Sequence, residues 1–229
     1  MRDYTHLERY LNTLAADIYG QPDDEGHHAM MEDIVKKWLP LLQGLESVLD
    51  VGCGQGQAIP LLQKYAARVE GVTLGEDVEA AQGKGFVIHR ADMTFLPFPE
   101  KEFTLIFARH VLEHSPAPLL TLMEWRRVAQ QWLLLVMPAI EHYGIGGRNH
   151  YSVMSKSQIK VLLHRSGWKA LWADESEQTE YRWFCEKVDT PRAGNDIHIP
   201  PPKPSIEPKE ENGIVRLGKP VEKEESNGE

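Results

Sequence analysis

Short apolar runs alternate with segments of helical periodicity along residues 47–188. Runs rich in β-branched and aromatic residues predict seven strands, over residues 47–51, 68–72, 86–89, 103–107, 131–137, 168–173 and 180–187. Apolar positions at helical spacing predict helices over 58–65, 76–84 and 118–128, and a last helix from Ser155 to about Ser166, ended by Gly167. This alternation favours an α/β fold, in which a seven-stranded, mostly parallel sheet carries helices on both faces.

The segments on either side of this region differ from it in pattern. Residues 1–44 are predicted to be helical, with an apolar stripe made of Met30, Ile34, Val35, Trp38 and Leu41. Residues 189–229 are rich in Pro, Glu and Lys and contain no aromatic residue, so they cannot bury enough apolar surface to offset their ordering entropy. We therefore expect a helical segment at 1–44, a main domain at 45–188 and a disordered tail at 189–229. The apolar island 213–217 is a candidate docking peptide for a protein partner, and a fully solvated tail is the alternative.

Charge and composition narrow the classes of partner. The 229 residues carry a formal net charge of −9, so a nucleic-acid substrate is disfavoured. No run approaches the roughly 20 apolar residues of a membrane span, and the first residues are charged and polar, unlike a secretory signal. Two cysteines, Cys53 and Cys185, are too few for a disulfide scaffold and are expected to be reduced. These features predict a cytoplasmic protein with no membrane partner.

A glycine-rich turn follows the first predicted strand, in the sequence Val-Leu-Asp-Val-Gly-Cys-Gly-Gln-Gly at 48–56. Three glycines let the backbone approach a ligand without Cβ atoms in the way, and the helix that follows offers N–H donors. A dinucleotide-binding turn would have its third glycine at position 57, but that residue is Gln57 and the third glycine is Gly56. The spacing therefore favours a nucleotide site of another type, and a tight turn without ligand is the alternative.

This turn resembles motif I of the class I S-adenosylmethionine (SAM)-dependent methyltransferases, which have a Rossmann-like fold. The resemblance implies that Asp50 and the turn hold the amino-acid part of SAM. Residues 91–93 and 96–99 resemble the acidic motif after strand 3, so that Asp92 would accept the adenine amino group and Met93 would pack on the ring. Strand 2 of the family commonly ends in an acid that binds the ribose. Thr73 stands there in this chain, in a Gly-Val-Thr-Leu form similar to that of cyclopropane-fatty-acid synthases and tocopherol-type methyltransferases, with Glu76 or Asp77 as possible helpers.

The implied cofactor is SAM, with S-adenosylhomocysteine (SAH) as its product. Arg109 is expected to face a carboxylate of the cofactor or substrate, with a surface ion pair as the alternative. The implied cofactor residues are Asp50, Gly52, Cys53, Gly54, Gln55, Gly56, Thr73, Leu74, Asp92, Met93 and Arg109.

Residues 103–114 resemble the strand-4 motif of the branch that methylates ubiquinone and small molecules. Methyl transfer from a sulfonium needs the acceptor to be positioned and water to be excluded, and a base is optional. An imidazole is the natural proton acceptor if the acceptor is a hydroxyl or a protonated amine. His110, His114 and His150 are therefore the candidate catalytic residues, with a structural role as the alternative for each.

The loop at 138–153 should emerge at the carboxyl edge of the sheet, where ligands of open α/β sheets bind. Its residues 149–153 resemble uncharacterised bacterial and phage methyltransferase-like proteins. Near the N-terminus, His27 and His28 lie beside acidic residues, but no ligand spacing recurs, so a polar helix start is preferred and no metal site is predicted. By analogy with the family, Tyr10 and Tyr19 would lie on a lid, with a simple packing helix as the alternative. The candidate substrate residues are His142, Tyr143, Arg148, Asn149 and Tyr151.

The function expected from these features is methyl transfer from SAM to an acceptor, a small molecule or a sugar-like hydroxyl. One alternative is a SAM-binding protein without catalysis that acts through partner binding. Another is a nicotinamide-dependent reductase, which Gln57 and the missing acid at the end of strand 2 both disfavour.

Overall fold

A computed structural model describes residues 5–15, 24–42, 44–143, 149–174, 179–188, 208–211 and 214–217. The chain divides into two compact units, Met1–Ala193 and Gly194–Glu229. The first unit contains the sheet and the helices that surround it, and everything said below about the site concerns this unit.

The sheet of the first unit has seven strands, as the sequence predicts. They are β1 (Ser47–Val51), β2 (Arg68–Thr73), β3 (Ile88–Arg90), β4 (Phe103–Arg109), β5 (Ala129–Pro138), β6 (Trp168–Asp174) and β7 (Glu180–Lys187). Their order is β3-β2-β1-β4-β5-β7-β6, and β7 runs antiparallel to the other six strands. Since the chain leaves β1 in one direction and later returns to its other side as β4, a crevice is expected at the carboxyl ends of these two strands.

Helices cover both faces of the sheet and complete its core. The α-helices are α1 (Thr5–Ala15), α2 (Glu25–Trp38), α3 (Ile59–Leu62), α4 (Asp77–Gly83), α5 (Pro118–Val128), α6 (Ile140–Tyr143) and α7 (Lys156–Arg165). One core cluster packs α5 and α7 on the sheet through side chains that include Leu122, Trp125 and Leu163. The other packs α2 and α3 on the opposite face through Ile34 and Leu62. The predicted α/β fold with helices on both faces is therefore confirmed.

Local signals account for the helix ends that the sequence predicts well. The side chain of Ser155 accepts from the backbone N–H of Gln158, whose own side chain accepts from the backbone of Ser155, and this capping box begins α7. Gly167, with φ of +84°, turns the chain out of α7 into β6. Asp24 caps α2 by accepting from the backbone N–H of His27 and also contacts its ring at 2.6 Å, so His27 belongs to a polar helix start.

Several predicted boundaries differ from the observed ones. The helix predicted over 58–65 is regular only at Ile59–Leu62, and the strand predicted over 86–89 is β3 at Ile88–Arg90, because Phe86 still donates to Ala81 of the preceding helix. The apolar stripe of α2 buries Met31 where Met30 was predicted. Leu41 is 70% exposed because α2 gives way to a 3-10 helix at Leu39–Leu41, which rotates each residue further than an α-helix does.

Two short strands are described in the second unit. Strands β8 (Pro208–Glu211) and β9 (Ile214–Leu217) pair antiparallel, and β9 overlaps the predicted docking island. The disorder predicted for 189–229 stays a prediction, because most of this segment lies outside the described residues. Among the helices that are described, none is long and apolar enough to cross a membrane.

Candidate active site

The glycine turn after β1 has a backbone that only glycine adopts without strain. Gly52, Gly54 and Gly56 have φ of +72°, +51° and +80°. A Cβ atom at Gly52 would lie 2.7 Å from Cβ of Val111 and closer still to its Cγ2 atom. The N–H groups of Gly52 and Cys53 both donate to the carbonyl of Val72, so the turn is fixed to the end of β2. The turn is therefore a rigid concave backbone surface at the expected crevice.

Asp50 lies on β1, two residues before Gly52, and is 3% exposed. Among the described residues, none forms a hydrogen bond with its Oδ2 atom. Burial raises the pKa of Asp50 to about 8, although the nearby Arg109 acts in the opposite direction. A buried carboxyl oxygen without a partner is costly, and an ammonium group arriving at the turn would supply the missing donor. Asp50 thus fits the role that the resemblance gives it toward the amino group of SAM.

The residues expected at the ribose and adenine follow the next two strands on the same edge of the sheet. Thr73 ends β2 with a buried side chain, and its carbonyl accepts from Ala91, while Leu74 is half-buried. The Oδ1 atom of Asp92 accepts from the backbone N–H of Thr94 at 2.6 Å, which fixes the carboxylate after β3.

Met93 and the rest of the turn complete this edge. Met93 packs against the core, and its carbonyl accepts from the Trp125 indole at 2.9 Å. Cys53 is buried, and burial raises the pKa of its thiol, while Gln55 is half-buried and its carbonyl accepts from Lys84. Apart from Arg109, which ends β4, the predicted cofactor residues therefore lie at the ends of three adjacent strands, β1, β2 and β3.

Arg109 belongs to a buried ion-pair network, and not to the surface ion pair that was the alternative prediction for it. Arg109 is 7% exposed and its Nη2 atom lies 2.6 Å from Oε1 of Glu180, the first residue of β7. The Nε2 atom of His110 lies 2.9 Å from the same oxygen. Arg182 contacts the other Glu180 oxygen at 3.4 Å and Asp33 of α2 at 3.0 Å. Glu180 is the centre of this network, and no motif in the sequence identified it.

The protonation states in this network follow from burial and charge. Burial alone raises the pKa of Glu180, but the hydrogen bond with His110 and the attraction of Arg109 outweigh it and hold the pKa at about 2. Burial lowers the pKa of His110, and Glu180 offsets part of this change. Glu180 is therefore ionised and His110 neutral at pH 7. His110 also has φ of +52°, an uncommon backbone conformation of the kind that clusters at functional sites.

The other two candidate histidines meet at a different place. His114 ends a 3-10 helix, Leu112–His114, that follows β4, and its ring centroid lies 4.9 Å from that of His150. Nδ1 of His114 lies 3.0 Å from the carbonyl oxygen of Asn149. Burial lowers the pKa of His114 to about 4 and raises that of the adjacent Glu113 to about 8. The structure thus separates the three predicted catalytic histidines into His110 with Glu180, and His114 with His150.

Only some of the predicted substrate residues lie near the other candidate site residues. His142 is exposed on α6, Tyr143 ends that helix, and Arg148 lies outside the described residues. Asn149, with φ of +66°, contacts His114 through its carbonyl, and Tyr151 is exposed. Of the proposed lid residues, Tyr10 is exposed on α1 and Tyr19 lies outside the described part of the chain.

Comparisons with known proteins give a consistent result. A family model described as "Methyltransferase domain" matches residues 49–133. The chain is 32% identical over 111 residues to "Probable methyltransferase ltbC" of Aspergillus luteorubrus, a match that covers 39% of this chain and 38% of that protein. It is 26% identical over 177 residues to the 27-O-demethylrifamycin SV methyltransferase of Amycolatopsis mediterranei, with 67% and 65% covered. The matches therefore span less than two thirds of either relative.

Solved structures share the fold at low sequence identity. A SAM-dependent methyltransferase from Aquifex aeolicus has a TM-score of 0.60 and 21% identity, over 82% of this chain and all of that one. The magnesium protoporphyrin IX methyltransferase of Synechocystis, solved with bound SAH, has a TM-score of 0.58 and 20% identity, over 81% and 100%. These similarities confirm the Rossmann-like fold expected from the glycine turn.

Proposed function

We propose that this chain, whose residues 49–133 match the methyltransferase domain model, transfers a methyl group from SAM to an acceptor hydroxyl of a small molecule. The observation that carries the proposal is the buried Asp50 oxygen without a described hydrogen-bond partner, in the strand that leads directly into a turn that requires glycine. When bound, SAM would supply an electrophilic methyl group on a good leaving group.

The chain's own residues have distinct parts in holding this cofactor. Asp50 would accept from the ammonium group, and the turn at Gly52, Gly54 and Gly56 would allow close approach of the amino-acid part. Thr73, at the end of β2, offers a hydroxyl for the ribose, and Asp92 offers a carboxylate already fixed by Thr94 for the adenine amino group. These assignments follow the order in which parallel strands present their carboxyl ends along one edge.

Among the three histidines, His110 is the best supported proton acceptor. Glu180 is ionised and can only accept, so the proximity of its oxygen, 2.9 Å from Nε2 of His110, favours the tautomer in which Nε2 would carry the proton and Nδ1 would hold the lone pair. A carboxylate that fixes the tautomer of a histidine is the arrangement that general bases commonly use. His110 would thus accept the proton of the acceptor hydroxyl, and Glu180 is a positioning residue that also neutralises Arg109.

Calorimetric titration with SAH tests the cofactor part of the proposal. Asp50→Asn keeps the side-chain size but cannot become the carboxylate that would accept from the ammonium group, and we expect it to weaken SAH binding by roughly 10- to 100-fold, the equivalent of one charge-assisted hydrogen bond. Glu46→Gln is the matched control, because Glu46 is an exposed carboxyl just before the other end of the same strand. Wild-type protein that takes up neither SAH nor SAM would contradict the proposal, and uptake of NADH instead would favour a reductase.

Turnover separates an enzyme from a protein that only binds SAM. Release of SAH is measured across pools of small-molecule alcohols and phenols, with His110→Asn as the test variant and His28→Asn as the control. Asn tolerates positive φ, so it removes the imidazole without adding backbone strain. We expect His110→Asn to retain SAH affinity and to lose roughly 100-fold or more in kcat, as loss of a general base does. Binding without turnover in the wild type would favour the SAM-binding alternative.

A further inference from the structure

We propose that Glu113, His114 and His150 form a binding site for a divalent transition-metal cation such as Zn²⁺. Each of the three side chains offers one ligand atom, and these atoms all lie within 4.8 Å of one another. Two imidazoles and one carboxylate are a donor set that Zn²⁺ and similar cations prefer over Mg²⁺, which favours oxygen ligands and water.

The three ligands come from two segments that the backbone holds together. Glu113 and His114 lie on the 3-10 helix after β4, and His150 lies between α6 and α7 in the chain. Ser152 fixes the second segment to the first, because its N–H donates to the carbonyl of Glu113 at 2.8 Å and its hydroxyl to the carbonyl of Ser115 at 2.5 Å. The ligand set is therefore preorganised by main-chain contacts and does not depend on a metal to draw it together.

The hydrogen bond of His114 suits a metal ligand. The carbonyl oxygen of Asn149, 3.0 Å from Nδ1, can only accept, so Nδ1 carries the proton and Nε2 keeps its lone pair. Metal-binding histidines almost always donate their second N–H to a carbonyl or carboxylate in this way, because the contact fixes both tautomer and ring orientation.

Glu113 provides an independent sign that something is missing from the site. Its side chain is 1% exposed, and its Oε2 atom forms no hydrogen bond with any residue that the structure describes. A buried carboxyl oxygen left without a partner costs free energy that a coordinated cation would offset. Exposed acidic clusters arise easily on protein surfaces, but a buried acid directed at two imidazoles does not share that explanation.

The site adjoins the cofactor turn through one side chain. Val111, two residues before Glu113, packs on Gly52 of the turn. Three protein ligands leave a coordination position open, and an acceptor hydroxyl bound there would have a lowered pKa and a fixed orientation. This role rests on the proposed methyl transfer, whereas the cation site itself does not. His114 and His150 would then be metal ligands, and His110 would remain the proton acceptor.

Metal binding is measured on the untagged 229-residue chain after dialysis against a chelator. Co²⁺ is titrated while its visible d–d absorption is followed, and Zn²⁺ is then added to displace it. We expect one equivalent of Co²⁺ with the intense bands of a four- or five-coordinate site, displacement by Zn²⁺, and no response to Mg²⁺. His150→Ala and Glu113→Gln should each weaken Co²⁺ binding by on the order of 100-fold or more, since even an outer-shell partner typically costs 10- to 100-fold.

Controls keep this test separate from folding and from the proposed function. His28→Ala removes an exposed histidine of α2 and should leave Co²⁺ binding unchanged, and circular dichroism verifies that each variant is folded. Equal Co²⁺ affinity in wild type, His150→Ala and Glu113→Gln would overturn the cation site, as would a response to Mg²⁺ alone. SAH titration of the metal-free chain is read separately: SAH bound without a Co²⁺ signal overturns only the cation site, and a Co²⁺ signal without SAH binding overturns only the proposed function.

Discussion

Alanine at Gly52 should destabilise the protein more than alanine at a glycine with the same backbone conformation but open surroundings. Gly44 is that matched site, because its φ is +69°, against +72° at Gly52, and a Cβ atom there would meet nothing within 4 Å. Alanine at Gly44 therefore adds only the cost of a left-handed backbone, about 1–2 kcal/mol. At Gly52 the new Cβ also overlaps Val111, which adds about 1–3 kcal/mol of overpacking.

The expected loss of unfolding free energy is thus about 2–5 kcal/mol for Gly52→Ala and about 1–2 kcal/mol for Gly44→Ala. Urea unfolding followed by tryptophan fluorescence gives both values, and any effect of alanine on the unfolded chain is common to the two variants. Val111→Ala should recover only part of the difference, because the 2.7 Å contact with Cβ of residue 111 remains. Equal destabilisation at the two glycines would refute the assigned contact between the turn and Val111.

Three further results are expected. The pKa of Asp50 is raised to about 8 in the folded state, so the unfolding free energy falls as the pH rises from about 4 to 8. Asp50→Asn should therefore increase the unfolding free energy at pH 8 by on the order of a few kcal/mol, and it should leave the unfolding free energy at pH 3 unchanged. The pKa of Glu180 is lowered from 4.5 to about 2, so its contribution is present above pH 4.5 and is lost as the pH falls toward 2. Glu180→Gln should therefore cost about 3–5 kcal/mol at pH 7, and the difference from wild type should shrink in that acid range. Finally, Cys53 and Cys185 are buried and burial raises both pKa values, so Ellman's reagent should label them only as fast as the chain opens; rapid labelling of the native protein would contradict this burial.

The sequence identifies those parts of the site that are local in the chain. Asp50 and the glycines of the turn stand within seven residues of one another, and strand, turn and helix each have a signal of their own. Identifying these residues does not require knowledge of the order of the strands in the sheet. The turn could therefore be located without knowledge of the fold, as could the ends of α7, where Ser155 and Gln158 form the predicted cap.

Residues brought together by distant segments were missed for a physical reason. Glu180 is 71 residues from Arg109, and it reaches this arginine only because β7 pairs with β5 in an antiparallel register that places Glu180 opposite Pro138. Glu113 was passed over although it lies within the strand-4 motif. The sequence did contain a signal, because an acidic residue that follows two apolar residues, Val111 and Leu112, is uncommon in a turn expected to be buried. The contact between His114 and His150 had no such signal, since it joins two segments that are distant in the sequence.

The direction of β7 has a consequence for how this protein is made. A parallel strand places its last residues at the ligand-binding edge of the sheet, whereas the antiparallel β7 places its first residue, Glu180, there. The carboxylate that balances Arg109 and Arg182 therefore comes from the last strand of the sheet in sequence order. During synthesis, a chain that has not yet emerged as far as Glu180 holds an arginine on β4 that it cannot bury without great cost. The sheet should therefore form cooperatively, after Glu180 has been synthesised. Truncation before Glu180 should yield a product that aggregates and not a smaller, stable domain.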